Sequence, residues 1–453
     1  MREPLPWRME EVTGLVVSLC ALLSPGLRPG EVAGAAGGPP SRAEYRQLAD
    51  EMDAHLRRLL AAWYPRCVDR KGGGFLEEFG PDWSAKPGGG KFIVFQARMT
   101  WVAAEVAAYA PALRDEYLGY AKHGLEFLDT VLCDREYGGV HWKLGPGGGV
   151  RGGIESEKHA YGLAFAVYAA SAAYRRLNDP RALALAKDTF RWLDGHAHDD
   201  VSRGYIESLT RDGRPFPAGA GRKLDGIGTL IGCKSMNSHI HLLEAFTALY
   251  GVWPDPIVRR RLEELLWLVR DTIAVEPGCL NLFFTRDWRP LPAHDSFGHD
   301  VETAYLLVEA SAALGSPDDP ATWRVARKLV DHALEWGFDE ENGGFYDKGE
   351  AFAPAHDTTK IWWTQAEGLG ALVVMEERYG ADTSRYRDAV RKQWGFIRDH
   401  QIDPRDGSWH GSVARDGKLL GNEDKASPWQ EIYHNARALM NSARTLKKLA
   451  GEE

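Results

Sequence analysis

The sequence predicts an all-α fold, an (α/α)6 barrel in which six helix pairs close into a toroid with short β turns at one end. Two observations predict it: a glycine/aromatic turn that recurs six times, and amphipathic helical runs in the intervals between the turns. The turns are Asp69-Arg-Lys-Gly-Gly-Gly-Phe75, Asp134-Arg-Glu-Tyr-Gly-Gly-Val-His-Trp142, Asp200-Val-Ser-Arg-Gly-Tyr205, a degenerate Glu276-Pro-Gly-Cys-Leu-Asn-Leu-Phe283, Asp339-Glu-Glu-Asn-Gly-Gly-Phe-Tyr346 and Asp403-Pro-Arg-Asp-Gly-Ser-Trp409. Most are about 65 residues apart, with one interval nearer 75. Glycine supplies the positive φ of a tight turn, and the aromatic residue after it begins a short strand.

Between turns, apolar residues recur at three- and four-residue steps, as in 97–109, 160–177, 180–193, 236–250 and 301–314. Each interval has room for two helices. Stacked helix pairs bury their faces only against neighbours, and neither end of the array reads as a polar capping repeat, so the ring is expected to close. Residues 43–453 then form one catalytic domain. Residues 1–42 form an extension in which 12–23 is mostly apolar and small residues follow at 33–36. That outline resembles an export signal, but Glu3, Glu10 and Glu11 beside Arg2 and Arg8 make a poor basic leader. The expected location is cytoplasmic, with this weak signal the only feature pointing to export.

Composition narrows the function. The net charge of −9, with both signs interspersed, lacks the basic stripe that nucleic acid or an anionic membrane requires. No apolar stretch is long enough to span a bilayer. The five cysteines, Cys20, Cys67, Cys133, Cys233 and Cys279, form no CxxC and no zinc-spaced cluster, and read as reduced thiols. Sixteen tryptophans offer flat faces on which a sugar can stack. No phosphate loop, nucleophile elbow or dinucleotide fingerprint occurs, and neither a cofactor nor a metal is expected. The expected partner is a small-molecule sugar, and the expected assembly a monomer or weak homodimer.

Polar clusters stand at the starts of otherwise apolar helices. In Asn237-Ser-His-Ile-His-Leu-Leu-Glu-Ala245, His239 and His241 lie about 200° apart on a helix and cannot chelate together. His241 and Glu244, at i and i+3, share a face, so the carboxylate can set the imidazole tautomer. Gly298-His-Asp-Val-Glu302 repeats the arrangement with His299 and Glu302. A carboxylate-bridged di-iron site would run Glu-x-x-His and need further glutamates. Lys360-Ile-Trp-Trp-Thr-Gln-Ala-Glu367 puts Trp362 and Trp363 at a helix mouth, where one can wall a sugar pocket and rim packing is the simpler use. Pro428-Trp-Gln-Glu-Ile-Tyr-His-Asn-Ala-Arg437 places Trp429 and His434 before the last helix. Arg98 lies inside an apolar helix and needs either an anionic ligand or an ion pair, with Glu244 and Glu302 as candidates. In a toroid the starts of the inner helices converge on one end of the central funnel. That convergence gathers Arg98, His241, His299, Trp363 and His434.

These motifs, in this order, resemble the N-acylglucosamine 2-epimerase superfamily and within it the cellobiose 2-epimerases. The resemblance runs from about Arg98 to Arg437. It implies the (α/α)6 barrel and a carbohydrate isomerase that inverts C2 of the reducing-end glucose of a β-1,4 disaccharide. It also implies paired acid/base roles for His299 and His434, assistance to ring opening by His241, and stabilisation of a cis-enediolate by Arg98. Glu302 is implied to bind a sugar hydroxyl and orient His299, with Glu244 a similar support. Trp363 and Trp429 are implied to stack on the two sugar rings, with Trp362 able to exchange roles with Trp363. Tyr161 and Asn237 complete the implied pocket. The stretches 72–91 and 211–233 are longer than the resemblance leads one to expect.

If a single histidine moved the proton between C2 and C1, the product would be a ketose, so an aldose–ketose isomerase of the mannose isomerase type is the nearest rival. N-acylglucosamine 2-epimerase is a further one. A glycoside hydrolase on the same toroid would need two carboxylates flanking a bond, whereas these glutamates are spaced to support histidines. A non-catalytic sugar binder would have no need of three funnel histidines.

Overall fold

The computed structural model describes residues 41–150, 152–217 and 223–452. The expected extension therefore lies almost wholly outside the described residues. Twelve α-helices are present among those described: α1 (Arg42–Trp63), α2 (Ile93–Tyr109), α3 (Arg114–Phe127), α4 (Ala160–Leu177), α5 (Pro180–Ala197), α6 (Met236–Tyr250), α7 (Pro256–Leu268), α8 (Phe297–Ala313), α9 (Pro320–Trp336), α10 (Trp362–Tyr379), α11 (Arg385–Phe396) and α12 (Tyr433–Leu449). The even-numbered helices pack in sequence, and α12 returns to α2, closing the ring. The odd-numbered helices form the outer layer, each against its inner neighbour.

The two layers differ as their sequences require. Every residue of α2 from Ile93 to Ala107 is buried, the signature of a helix enclosed on all sides. Outer α9 buries one stripe, including Ala326, Leu329, Val330 and Ala333. Outer helices α5, α7 and α9 all begin Asp-Pro. Asp179, Asp255 and Asp319 accept from the amides of Arg181, Ile257 and Thr322, each at 2.9 Å. The proline that follows occupies a position where no amide is required. Helices 160–177 and 236–250 fall as the periodicity predicts. By contrast, α8 begins four residues earlier than the run at 301, because its first turn carries the polar His299 and Asp300.

All six turns form β bridges or hairpins: Val68 with Phe75, Cys133 with Val140, His198 with Tyr205, Ala274 with Leu280, Phe338 with Phe345 and Ile402 with Trp409. Five of the six turns are tied by an ion pair to the segment that leads into an inner helix. Lys91 pairs with Asp69 at 2.9 Å, Lys158 with Asp134 at 3.1 Å, Lys234 with Asp199 at 3.2 Å and Lys360 with Asp339 at 2.9 Å. Lys425 pairs with Asp403 in the last repeat. The aspartates also cap amides of their own turns, as Asp339 does for Glu341 and Asn342. Lys158, Lys234 and Lys360 are fully buried, so the pairs hold the inner-helix starts in place. In the third turn the pinned residue is Asp199, one position before the aspartate at which the sequence motif was set. The fourth, degenerate turn has no such pair: Val275 and Asp295 stand where the other repeats have aspartate and lysine.

Candidate active site

One pocket of about 190 Å3 is lined by Arg98, Tyr161, Asn237, His241, His299, Glu302, Trp362, Trp363, Trp429 and His434. These residues come from the first two turns of the six inner helices, or from the segment leading into the last one. Of the eleven residues expected at the site, only Glu244 lies outside this lining, one helical turn behind His241.

The histidines are oriented from behind. Nδ1 of His241 lies 3.1 Å from Oε2 of Glu244, as the i,i+3 spacing predicts. Its neighbour His239 points out of the funnel. Nδ1 of that ring is 2.6 Å from the Ser235 carbonyl, and its Nε2 accepts the Tyr205 amide at 3.0 Å, so it is a structural core residue. Nδ1 of His434 bonds to Glu367. Nδ1 of His299 lies 2.7 Å from the Ser296 hydroxyl. Each arrangement leaves Nε2 for the pocket. Burial pushes His299 down to about 4. Burial, with Arg98 nearby, pushes His434 well below the usual histidine range. Both imidazoles are therefore neutral near pH 7, the form a general base requires.

The contact on His299 corrects one expectation. Glu302 shares a helical face with it, but Oε1 of Glu302 accepts from Nη2 of Arg437 at 2.6 Å, and the hydroxyl of Ser296 takes the place assigned to Glu302. Arg98 also chooses other partners than expected. It donates to Glu431 at 3.0 Å and to the Tyr161 hydroxyl at 3.1 Å, and its guanidinium lies 4.4 Å from the Phe165 ring centre.

Arg437, at the end of the last motif, is the hub of the funnel floor. It donates to Glu244, to Glu302 at 2.6 Å and to Glu367 at 2.7 Å, with the Tyr433 ring 4.4 Å away. Burial pushes Glu244 up, but Arg437 and His241 outweigh it and bring that carboxyl to about 2. Glu367 and Glu431 are raised, chiefly by burial. Glu367, Glu431 and Tyr433 also stand in the motifs without assigned roles. The signal that would have found them is a carboxylate or phenol at one-turn spacing beneath a funnel residue.

The aromatic walls divide in two. The Trp363 ring lies 4.7 Å from the His299 ring and 5.8 Å from the His434 ring, so both imidazoles meet one platform. Gly298 makes room for it, since a Cβ there would stand 2.5 Å from the Trp363 ring. Trp429 lies at the mouth, 42% exposed and 4.8 Å from the Phe92 ring. Trp362 lines the same pocket, and its indole nitrogen is buried without a partner.

Comparison with known proteins agrees with the helical ring. The cellobiose 2-epimerase of Bacteroides fragilis is 32% identical over 393 residues, covering 86% of this chain and 97% of its own. The solved cellobiose 2-epimerase of Spirochaeta thermophila superposes with a TM-score of 0.79 at 30% identity, over 90% of this chain and 98% of its own. The D-mannose isomerase of Marinomonas mediterranea is 23% identical, over 87% of this chain and 97% of its own. The family model for N-acylglucosamine 2-epimerase (GlcNAc 2-epimerase) matches residues 73–438, taking in all six inner-helix starts. The chain therefore belongs to the N-acylglucosamine 2-epimerase family of carbohydrate epimerases and isomerases.

Proposed function

We propose that the enzyme inverts C2 of the reducing-end glucose of a β-1,4 disaccharide, converting cellobiose to glucosyl-mannose and lactose to epilactose. The observation that carries this reading is the pair His299 and His434, two imidazoles on one tryptophan platform with their Nδ1 atoms tied to protein partners. C2 inversion needs a proton removed from one face and another delivered to the opposite face, so it needs two such groups.

After ring opening, assisted by His241, neutral His299 removes the C2 proton. The electron pair passes into a cis-enediolate whose oxygens Arg98 stabilises. His434, neutral at rest, takes up a solvent proton in the sugar complex, where Glu367 on its Nδ1 stabilises the imidazolium, and delivers that proton to the other face. The roles exchange in the reverse direction, and protons return through solvent between turnovers. Glu302 binds a sugar hydroxyl beside this centre. Ligand pockets that enclose larger molecules run to roughly 300–1,000 Å3. A cavity of about 190 Å3 suits one ring, leaving the second sugar at the mouth against half-exposed Trp429. The D-mannose isomerase and the cellobiose 2-epimerase named above give their activities as the competing and the favoured outcome. The disaccharide reading rests on Trp429 and on the greater identity to the epimerase.

The test is proton NMR of the enzyme with cellobiose, lactose and mannose in D2O. The expected product is the C2-inverted aldose with deuterium at C2, formed fastest from a disaccharide. A ketose would assign the site to aldose–ketose isomerisation, and release of free glucose without exchange would overturn proton transfer at C2.

A further inference from the structure

The degenerate fourth repeat lacks the lysine–aspartate pair of the other five, and four potential metal ligands gather in its place. Asp295 stands where the others have lysine, directly before α8. Asp300 lies on the first turn of α8, His332 on α9 and Cys279 in the fourth hairpin. Cys279, Asp295 and His332 are each 4% exposed, and Asp300 is fully buried. Nδ1 of His332 has no hydrogen-bond partner, and the Asp295 and Asp300 carboxyls have only each other and the backbone amides of Ser296 and Leu280, with no cation beside them among the described residues. A buried charged group without a partner is costly, and here two carboxyls share one site.

Three of the four bring donor atoms close enough to share one ion, and Asp300 stands beside His332. Nδ1 of His332 lies 3.5 Å from Oδ2 of Asp295 and 3.8 Å from Oδ2 of Asp300. One donor atom each from Cys279, Asp295 and His332 lies within 4.8 Å of the others. Two ligands about 2.0–2.1 Å from a common tetrahedral ion stand roughly 3.4 Å apart. The tautomer also fits. Nε2 of His332 is 2.8 Å from the Ala351 carbonyl and must donate to it, so in the neutral ring Nδ1 carries the lone pair. A histidine whose second nitrogen donates to a backbone carbonyl is the usual outer support of a metal ligand.

We infer that Cys279, Asp295, Asp300 and His332 bind a structural divalent cation of the zinc class, which takes the place of the buried ammonium of the other repeats. One thiolate, one imidazole and two carboxylates form a mixed set suited to a borderline-soft ion in four-coordination. The site is closed and lies outside the funnel. Its role is to hold the start of α8, and through Ser296 and Asp300 the position of His299. Without a cation, the same cluster must hold protons: burial and its two neighbours push the Cys279 thiol up to about 12, and burial with Asp300 alongside pushes Asp295 up to about 9.

The experiment uses the full chain, purified without a polyhistidine tag from zinc-supplemented medium. One zinc per chain should survive gel filtration and be lost in Cys279→Ser and Asp295→Asn, with helix content by circular dichroism confirming that both variants fold. A strong chelator should lower the wild-type Tm and added zinc should restore it. Cobalt added to the metal-stripped wild type under reducing conditions should give a sulfur-to-cobalt charge-transfer band, absent in Cys279→Ser. No bound zinc, no band and no Tm response to either metal would overturn the proposal. So would a protonated-carboxyl infrared band in the zinc-treated wild type that disappears in Asp295→Asn, since the carboxyls would then share a proton instead of a cation.

Discussion

Replacing Arg437 by methionine removes the one cation shared by Glu244, Glu302 and Glu367 while keeping much of the side-chain volume. The magnitude can be worked from Glu244, which moves from 4.5 to about 2 in the folded protein. At about 1.4 kcal/mol for each tenfold change in acidity, that shift contributes roughly 3 kcal/mol. Breaking a buried ion pair by removing one partner costs about 3–5 kcal/mol, so Arg437→Met is expected to lose at least 3 kcal/mol at pH 7.5. The sign with pH follows from the direction of the shifts. In the wild type the depressed carboxyl of Glu244 contributes stability above the unfolded value, lost as pH falls toward 2. In the variant Glu244 and Glu367 stay buried but lose the guanidinium that holds their carboxyls down, so both move upward. The variant therefore takes up more protons on mild acidification than the wild type, whose Glu367 is already raised, and gains more stability. The difference between the two proteins should shrink from pH 8 to pH 5. Urea unfolding at pH 8, 7 and 5, followed by circular dichroism, measures it. A loss below about 1 kcal/mol, or one that stays constant across this range, would refute the hub assignment.

Other outcomes follow from the same geometry. His299→Asn and His434→Asn should each lower kcat by about 10²–10⁴-fold while sugar binding, read by calorimetry, persists; loss of affinity with kcat intact would point to a binding role. Because burial holds His299 near 4, the acid limb of kcat/KM should lie well below pH 6, and a limb at the unperturbed 6.5 would show a solvated imidazole. Trp429→Ala should raise the KM for cellobiose about tenfold, roughly 1.5 kcal/mol from one half-covered platform, and leave mannose unaffected. Lys360→Met strips the ammonium from Asp339 but leaves Arg415 3.2 Å away, so its cost, measured by urea unfolding, should sit near the lower end of the roughly 3–5 kcal/mol range.

The toroid is legible in the sequence because each repeat carries its own local signals. Glycine turns, aromatic strand starts and three-to-four periodicity need no knowledge of a distant partner. The same holds for His241, whose partner Glu244 lies one turn along the same helix. Legibility fails where the partner comes from another repeat. Arg437 reaches carboxylates 193, 135 and 70 residues away, and nothing in its own helix marks them. His299 shows how spacing misleads: i,i+3 states that Glu302 shares its face, but not whether a stronger partner takes that carboxylate first. A guanidinium with three buried acids around it prevails over an imidazole that a serine hydroxyl can satisfy. The lysine–aspartate pairs were hidden for a different reason. Lysine before a helix and aspartate before a turn are ordinary surface residues in a sequence, and only closure of the ring buries them. Their regularity is what gives the fourth repeat its meaning. When five copies of a device place a cation against a buried acid, a sixth with two acids, a histidine and a cysteine in its place has kept the demand for positive charge and changed its source.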